Sequence, residues 1–158
     1  MLFRLYIFLW GSLLCSPLPA GRPFVDVEFV ILVPSYNNEK YVKENLKSIC
    51  YQYSSKPYEV IYVNDCSTDS TASCVENYIK KHNLTFVKVI NNPQRVGAMA
   101  NVYNTIHNYI ADHKVVVTCD GDDSLAHNEV LLQLEQIYAD PDAWLTYGST
   151  LRIPAGTY

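Results

Sequence analysis

The chain has 158 residues, of which 49% are hydrophobic and 18% are charged, so a disordered protein is excluded and one domain with a sizeable core is allowed. The formal net charge of −4, without a cluster of lysine and arginine, argues against a nucleic-acid-binding protein, which needs a basic surface for phosphate. The five cysteines show no C-x-x-C pair and no zinc-finger spacing, which favours free, mostly buried thiols; Cys66 and Cys74 are a candidate disulfide if the chain is exported.

The N-terminus differs in composition from the rest of the chain. Arg4 precedes an apolar run from Leu5 to Cys15, and small residues and prolines follow up to Ala20. This run is shorter than the roughly 20 apolar residues that cross a bilayer, and its pattern is typical of a secretory signal cleaved near Ala20. An uncleaved membrane-associating segment is the alternative. We therefore expect residues 1–23 to be a signal peptide or a membrane-associating segment, including an anchor with the domain facing the cytoplasm.

From Phe24 onward, apolar runs alternate with amphipathic segments. The first apolar run ends in Pro34 and is typical of a strand that is buried on both faces. The predicted strands are residues 27–34, 58–65, 84–92, 114–120 and 143–149. The predicted helices are residues 39–53, 67–83, 97–113 and 128–140, the second capped by Ser67, Thr68 and Asp69. This alternation predicts an α/β fold over residues 24–158, with a mostly parallel sheet and helices on both faces.

Polar residues follow the predicted strands at the edge where such sheets bind ligands. They are Ser35, Tyr36 and Asn37 after the first strand, Asn64 and Asp65 after the second, Arg95 after the third, and three aspartates after the fourth. The chain stops soon after the fifth strand, so we expect the domain to be incomplete at its C-terminus.

The stretch "VVVTCDGDDSL" places Asp120, Asp122 and Asp123 directly after a buried strand. Carboxylates so close together repel one another unless a cation or a proton intervenes, and Mg²⁺ or Mn²⁺ binds one or two carboxylates together with phosphate oxygens. Gly121 would let the backbone approach a ligand closely. An acidic turn that caps a helix near Ala126 is the structural alternative. Two enzyme classes carry such a motif: haloacid-dehalogenase-like phosphatases, with D-x-D-x-[TV], and nucleotide-sugar glycosyltransferases.

Four stretches, in order, resemble the family 2 glycosyltransferases of the GT-A fold. "VILVPSYNNEKYVKENLKSI" is similar to their first strand, P-[ST]-Y-N and helix. "YEVIYVNDCSTDST" is similar to their second strand and D-[DG]-x-S-x-D-x-[ST], with Asn64 in place of a usual aspartate. "NNPQRVGAMANVYNTI" resembles their third-strand exit, and "VVVTCDGDD" resembles their D-x-D-D. The resemblance covers Val30 to about Tyr147 and implies a Rossmann-like nucleotide-diphospho-sugar transferase fold.

The resemblance also implies a nucleotide pocket. Tyr36 would stack on the nucleobase, with Pro34 and Ser35 shaping the pocket, and Asp65 would accept a hydrogen bond from the base imide, a donor that uracil presents. Arg95 would contact the base or the phosphates. The alternatives without a binding role are a core aromatic for Tyr36, a helix cap for Asp65 and a solvated cation for Arg95. Glu39 either serves the site or favours a helix start electrostatically, and Asp69 is assigned to a cap.

The same resemblance implies a metal site. Asp120 would contact the ribose or metal-bound water, and Asp122 would ligate Mn²⁺ or Mg²⁺ at the diphosphate, with Asp123 as an alternative ligand. The metal would stabilise the departing nucleoside diphosphate as a Lewis acid. The implied reaction is transfer of a sugar from a nucleoside-diphosphate donor, UDP-linked by preference, to a hydroxyl of an unknown acceptor with inversion.

The catalytic base of this family belongs to the second half of the enzyme, so we expect it beyond Tyr158. Two alternatives stay open at this point. One is a phosphatase that uses Asp120 and Asp122, with Asp120 as the nucleophile. The other is a truncated chain that binds nucleotides but catalyses nothing.

Overall fold

The computed structural model describes residues 5–7 and 27–148 of the chain. The strands are β1 Leu5–Ile7, β2 Phe29–Ser35, β3 Glu59–Asn64, β4 Val87–Asn91, β5 Val115–Thr118 and β6 Thr146–Tyr147. The helices are α1 Val42–Cys50, α2 Thr71–His82, α3 Ala98–Tyr109 and α4 Val130–Tyr138. The predicted alternation of strands and helices is confirmed.

The six strands form one sheet in the order β4-β3-β2-β5-β1-β6, and all the paired strands are parallel. From β2 the chain passes to β3 and then to β4 on one side, after which α3 returns it to β5 on the other side of β2. The order of strands therefore reverses between β2 and β5. This is the position at which a doubly wound sheet has its ligand-binding crevice, at the carboxyl ends of the strands.

The helices cover both faces of the sheet. Along β2, Phe29, Ile31 and Val33 belong to one buried cluster, whereas Val30 and Leu32 belong to another, as expected from the period of two in a strand. Helices α1, α2 and α4 contribute apolar side chains to the first cluster: Val42, Leu46, Ile49, Val75, Leu131 and Leu134. Ile106 of α3 lies in the second cluster. The double coverage explains why β2 is apolar throughout.

Three helices begin at least two residues later than the sequence pattern predicted: α1 at Val42, α2 at Thr71 and α4 at Val130. Ser67 and Thr68 are not caps of α2. Their hydroxyls accept hydrogen bonds from the backbone and side-chain nitrogens of Asn37, at 3.0 and 3.1 Å. Asp69 does serve as predicted, because its Oδ1 accepts the backbone N–H of Thr71 at 2.9 Å. Ser67 and Thr68 thus bond to Asn37 in another loop and do not cap α2.

The described cysteines are free thiols. Cys50 and Cys119 are buried, and Cys66 and Cys74 are half-buried. The expectation of free thiols therefore holds for these four, although only two of them are buried, and the candidate pair Cys66 and Cys74 is not bonded.

Strand β1 lies inside the predicted signal or membrane-associating segment. Leu5 and Tyr6 pair with Val116 and Val117 of β5, and Tyr6 also pairs with Thr146 of β6. The rest of residues 1–23 lies outside the described residues, as does the expected cleavage position near Ala20. Among the helices that the structure describes, none is long and apolar enough to cross a membrane.

Candidate functional site

The segment of residues 119–124, here called the acidic loop, follows β5 at the strand-order reversal. It continues along β2 after the strand itself has ended: the backbone N–H of Cys119 donates to the carbonyl oxygen of Leu32 at 3.1 Å, and that of Gly121 donates to the carbonyl oxygen of Pro34 at 3.0 Å. The acidic loop therefore lies beside the carboxyl end of β2, where Ser35 and Tyr36 emerge.

Gly121 allows this close approach. A Cβ at this position would lie 2.3 Å from Ser35 Oγ and 2.7 Å from Asn38 Nδ2, both far inside ordinary contact distance. The glycine was expected to let the backbone come close to a ligand. The structure instead shows that the close neighbour is the protein itself, so this glycine sets how near the acidic loop comes to β2.

The three carboxyl groups of the acidic loop are crowded. Asp120, Asp122 and Asp123 are exposed residues. Partial burial of its carboxyl group, followed by the charges of Asp123 and Asp122, raises the pKa of Asp120 above its ordinary value. Partial burial and the charge of Asp122 likewise raise the pKa of Asp123. A cation bound here would favour the ionised carboxylates and reverse these shifts.

The donor set fits a hard divalent cation. Among the described residues, no group of three or more His, Cys, Asp or Glu side chains is arranged as a complete protein cage for a metal. Mg²⁺ and related ions, however, are usually held by one or two carboxylates, with waters and substrate phosphates filling the other positions. Asp122, with Asp120 or Asp123, could supply those carboxylates.

The acidic loop does not cap a helix, so the structural alternative is wrong. Helix α4 begins only at Val130, and its N-cap residue, Glu129, makes no side-chain capping bond. Gln52 takes that role, because its Oε1 accepts the backbone N–H groups of Val130 and Leu131 at 3.0 and 3.4 Å. The aspartates therefore do not cap a helix, which is the structural role that an acidic turn could have had.

Asp65 is buried at the carboxyl end of β3, with only 2% of its surface exposed. Its Oδ1 accepts hydrogen bonds from Asn92 Nδ2 and the backbone N–H of Val96, both at 2.9 Å, and its Oδ2 accepts the backbone N–H of Gly97 at 2.8 Å. Burial raises the pKa of this carboxyl group, but the hydrogen bonds together outweigh burial and hold the pKa below its ordinary value. Asp65 therefore holds the segment that carries Arg95, and it does not cap α2.

Tyr36 and Arg95 come together, although they follow different strands. The Arg95 guanidinium carbon lies 3.9 Å from the centroid of the Tyr36 ring, a distance at which a cation is attracted by the face of an aromatic ring. Tyr36 is half-buried and Arg95 is exposed. Tyr36 is thus not a core aromatic, and Arg95 is not a freely solvated cation.

The remaining predicted site residues have structural partners. Pro34 and Ser35 are buried, and Ser35 Oγ accepts hydrogen bonds from the hydroxyl of Tyr62 at 2.8 Å and from Asn38 Nδ2 at 3.1 Å. Glu39 Oε2 accepts the backbone N–H of Ser70 at 2.9 Å, just before α2. Pro34 and Ser35 therefore lie below the surface at the carboxyl end of β2, and Glu39 joins two loops.

Sequence reasoning missed Asn45, which is completely buried on α1. Its Nδ2 donates to the backbone carbonyl oxygens of Asp120 and Asp123, at 3.0 and 2.8 Å. A signal was present, since Asn45 interrupts the apolar stripe of α1 next to Val42 and Leu46. A polar residue in such a stripe indicates a buried hydrogen-bonding duty.

The model of the family described as "Glycosyl transferase family 2" matches residues 30–155. The chain belongs to this family. The match decides between the two enzyme classes in favour of the glycosyltransferases, and it agrees with the parallel sheet and with the acidic loop at its crevice.

Two curated relatives illustrate the similarity. A poly(ribitol-phosphate) β-N-acetylglucosaminyltransferase, TarS of Staphylococcus aureus, is 40% identical over 77 residues, which are 48% of this chain and 13% of the relative. A putative teichuronic acid biosynthesis glycosyltransferase, TuaG of Bacillus subtilis, is 28% identical over 136 residues, which are 86% of this chain and 50% of the relative. The chain thus spans half of TuaG and much less of TarS.

Solved structures share the GT-A fold. Residues 1–349 of S. aureus TarS in complex with UDP match with a TM-score of 0.59 and 31% identity, over 70% of this chain and 32% of that one. The mannosyltransferase PcManGT from Pyrobaculum calidifontis, in complex with GDP-Man and Mn²⁺, matches with a TM-score of 0.59 and 25% identity, over 78% of this chain and 34% of that one. The predicted fold class is confirmed.

Proposed function

We propose that residues 24–158 are the nucleotide-sugar-binding part of an inverting glycosyltransferase that uses a nucleoside-diphosphate sugar, UDP-linked by preference, and a hydroxyl acceptor. The acidic loop at the strand-order reversal carries the proposal, because a doubly wound sheet binds nucleotides there. UDP is the nucleotide in the TarS complex, and the PcManGT complex holds GDP-Man, so a nucleoside diphosphate is common to both.

The proposed cofactor is Mn²⁺ or Mg²⁺. Asp122 would ligate the ion, with Asp120 and Asp123 as the neighbouring carboxylates, and the ion would neutralise charge on the departing nucleoside diphosphate. The raised pKa values of Asp120 and Asp123 support this proposal, because a bound cation would stabilise their ionised carboxylates. The presence of Mn²⁺ in the PcManGT complex supports the choice of metal.

The proposed nucleobase platform is Tyr36. Arg95 covers one face of the ring at 3.9 Å, so a base would stack on the other face or displace the guanidinium. In either arrangement the edge of the guanidinium keeps its N–H donors available for phosphate oxygens. Asp65, which is 2% exposed and already accepts three hydrogen bonds from the chain, supports the platform by holding the segment that carries Arg95, and the expected bond from a base imide to its carboxylate stays a prediction.

No described residue is assigned as the general base that would activate the acceptor hydroxyl. Binding and transfer are therefore separate tests, and a chain that binds the donor without transferring the sugar would match the non-catalytic alternative. Such a base must reach the acceptor hydroxyl within hydrogen-bond distance.

Calorimetric titration of UDP with and without Mn²⁺ tests the proposal on the wild type and on Asp122→Ala. We expect Mn²⁺-dependent binding that Asp122→Ala removes. Asp112→Ala is the matched control, because it removes the same charge from an exposed position at the amino end of β5. Absence of UDP binding by the wild type with Mn²⁺, or equal loss in Asp112→Ala, would contradict the proposed donor site.

We also propose that residues 1–23 direct the chain to the secretory pathway or to a membrane. Cleavage near Ala20 would remove β1, which pairs with β5 and β6, so the cleaved and uncleaved proteins would differ in their sheet. Mass spectrometry of the N-terminus of the protein from cells tests this proposal. An intact N-terminus on a protein recovered without membranes would contradict it.

A further inference from the structure

Three polar residues of one helix face reach the segment that contains the acidic loop. Asn45 and Ser48 belong to α1, and Gln52 follows it, at spacings that place side chains on the same side of a helix. Asn45 Nδ2 contacts the acidic loop at Asp120 and Asp123, Ser48 Oγ accepts the N–H of Leu125 at 3.0 Å, and Gln52 Nε2 donates to the carbonyl oxygen of His127 at 2.7 Å. Of these three residues, only Asn45 donates hydrogen bonds to the backbone of the aspartates.

Asn45 closes the turn that carries the carboxylates. Both N–H donors of its amide are used, one for each of two carbonyl groups three residues apart. The backbone N–H of Asp123 also donates to the carbonyl oxygen of Asp120 at 2.9 Å. These bonds hold together a turn that the repulsion among its carboxylates would otherwise open.

The burial of Asn45 indicates a purpose beyond packing. Its Oδ1 is buried and has no hydrogen-bond partner in the described part of the chain, a costly condition that an apolar side chain at this position would avoid. The neighbouring positions in the stripe, Val42, Leu46 and Ile49, are apolar. The two bonds to the acidic loop are what an apolar residue at this position could not provide.

We infer that Asn45 is a positioning residue for the metal-binding carboxylates: by bonding the carbonyl groups of Asp120 and Asp123, it sets the arrangement in which the acidic loop presents its side chains to the cation. The inference rests on the proposed donor site. Asn45 itself touches neither the cation nor the nucleotide.

Three variants test this role: Asn45→Ala, Asn45→Ser and the matched control Ser48→Ala. The control removes a hydrogen bond between the same helix and the chain at Leu125, just past the acidic loop. Free Mn²⁺ is followed by electron paramagnetic resonance as each protein is titrated in the presence of UDP, and unfolding is followed by circular dichroism in EDTA. Asn45→Ser introduces a hydroxyl in place of the amide and serves if Asn45→Ala does not fold.

We expect Asn45→Ala to weaken Mn²⁺ binding by at least about tenfold, the usual effect of removing a group that orients a metal ligand, while Ser48→Ala changes it less than about twofold. Equal Mn²⁺ affinity in the folded Asn45 variants and in Ser48→Ala would overturn the positioning role alone. A wild type that binds no Mn²⁺ with UDP would overturn both this role and the proposed function.

Discussion

Replacing Gly121 with alanine tests how closely the acidic loop must approach β2. The added Cβ would lie 2.3 Å from Ser35 Oγ and 2.6 Å from Ser35 Cβ, whereas ordinary contact begins at 3.4 Å, so one side must move by about 1.1 Å. Ser35 has little freedom to move, because it is 4% exposed and its Oγ accepts hydrogen bonds from Tyr62 and Asn38. Overpacking of this kind costs about 1–3 kcal/mol, and we expect the upper half of that range.

Urea unfolding monitored by circular dichroism in EDTA measures the free energy of unfolding of Gly121→Ala, Ser35→Gly and the double variant. Ser35→Gly removes the two nearest atoms and leaves Asn38 Nδ2 at 2.7 Å, so the double variant should be less destabilised than the sum of the two single variants by about 1 kcal/mol or more. The displaced acidic loop should also weaken Mn²⁺-dependent UDP binding in Gly121→Ala, and the double variant should recover part of that affinity.

Two results would refute this explanation of Gly121. One is a free energy of unfolding of Gly121→Ala within about 0.5 kcal/mol of the wild type, the range of an ordinary surface substitution. The other is strict additivity of the two substitutions, because residues that clash directly must show coupling.

Three further predictions concern the charged residues of the site. Asp65→Asn should lower the free energy of unfolding by about 2–3 kcal/mol in urea titrations, because the amide nitrogen replaces a charged acceptor and faces a backbone N–H. Since the folded-state pKa of Asp65 is lowered, its contribution to stability should be complete above about pH 4 and be lost as the pH falls further, a dependence that Asp65→Asn should remove. Asp120→Asn should raise the melting temperature of the metal-free protein at neutral pH and yet weaken Mn²⁺ binding. Because the pKa of Asp120 is raised in the folded protein, its negative charge opposes folding at every pH above that pKa, and asparagine removes the charge. A lowered melting temperature would contradict this. Arg95→Ala should weaken UDP binding more than Arg95→Lys in calorimetry, because lysine keeps the charge over Tyr36 but loses the planar fork; equal affinity in all three proteins would count against a role for Arg95.

Local sequence patterns determined most of the elements. The apolar runs of β2, β3 and β5 could be recognised because both faces of these strands are covered, so no polar residue interrupts them. The helices could be recognised from their period of 3.6 residues, although the starts of α1, α2 and α4 could not. Where a helix begins depends on which tertiary partner takes its free N–H groups, and for α4 that partner is Gln52.

For the candidate site too, the sequence determined some features and the tertiary structure decided the others. Because parallel strands end at one edge of a sheet, the sequence by itself determined that Tyr36, Asp65, Arg95 and the aspartates would lie at a common edge. Only the tertiary structure decided which of them meet: Arg95 lies on Tyr36, and Asp65 holds the segment that carries Arg95. Asn45 reaches the acidic loop across 75 and 78 residues of sequence, and Gly121 fits against Ser35. Such contacts follow from the placement of β5 beside β2, and that strand order is a property of the whole packed sheet that no local periodicity encodes.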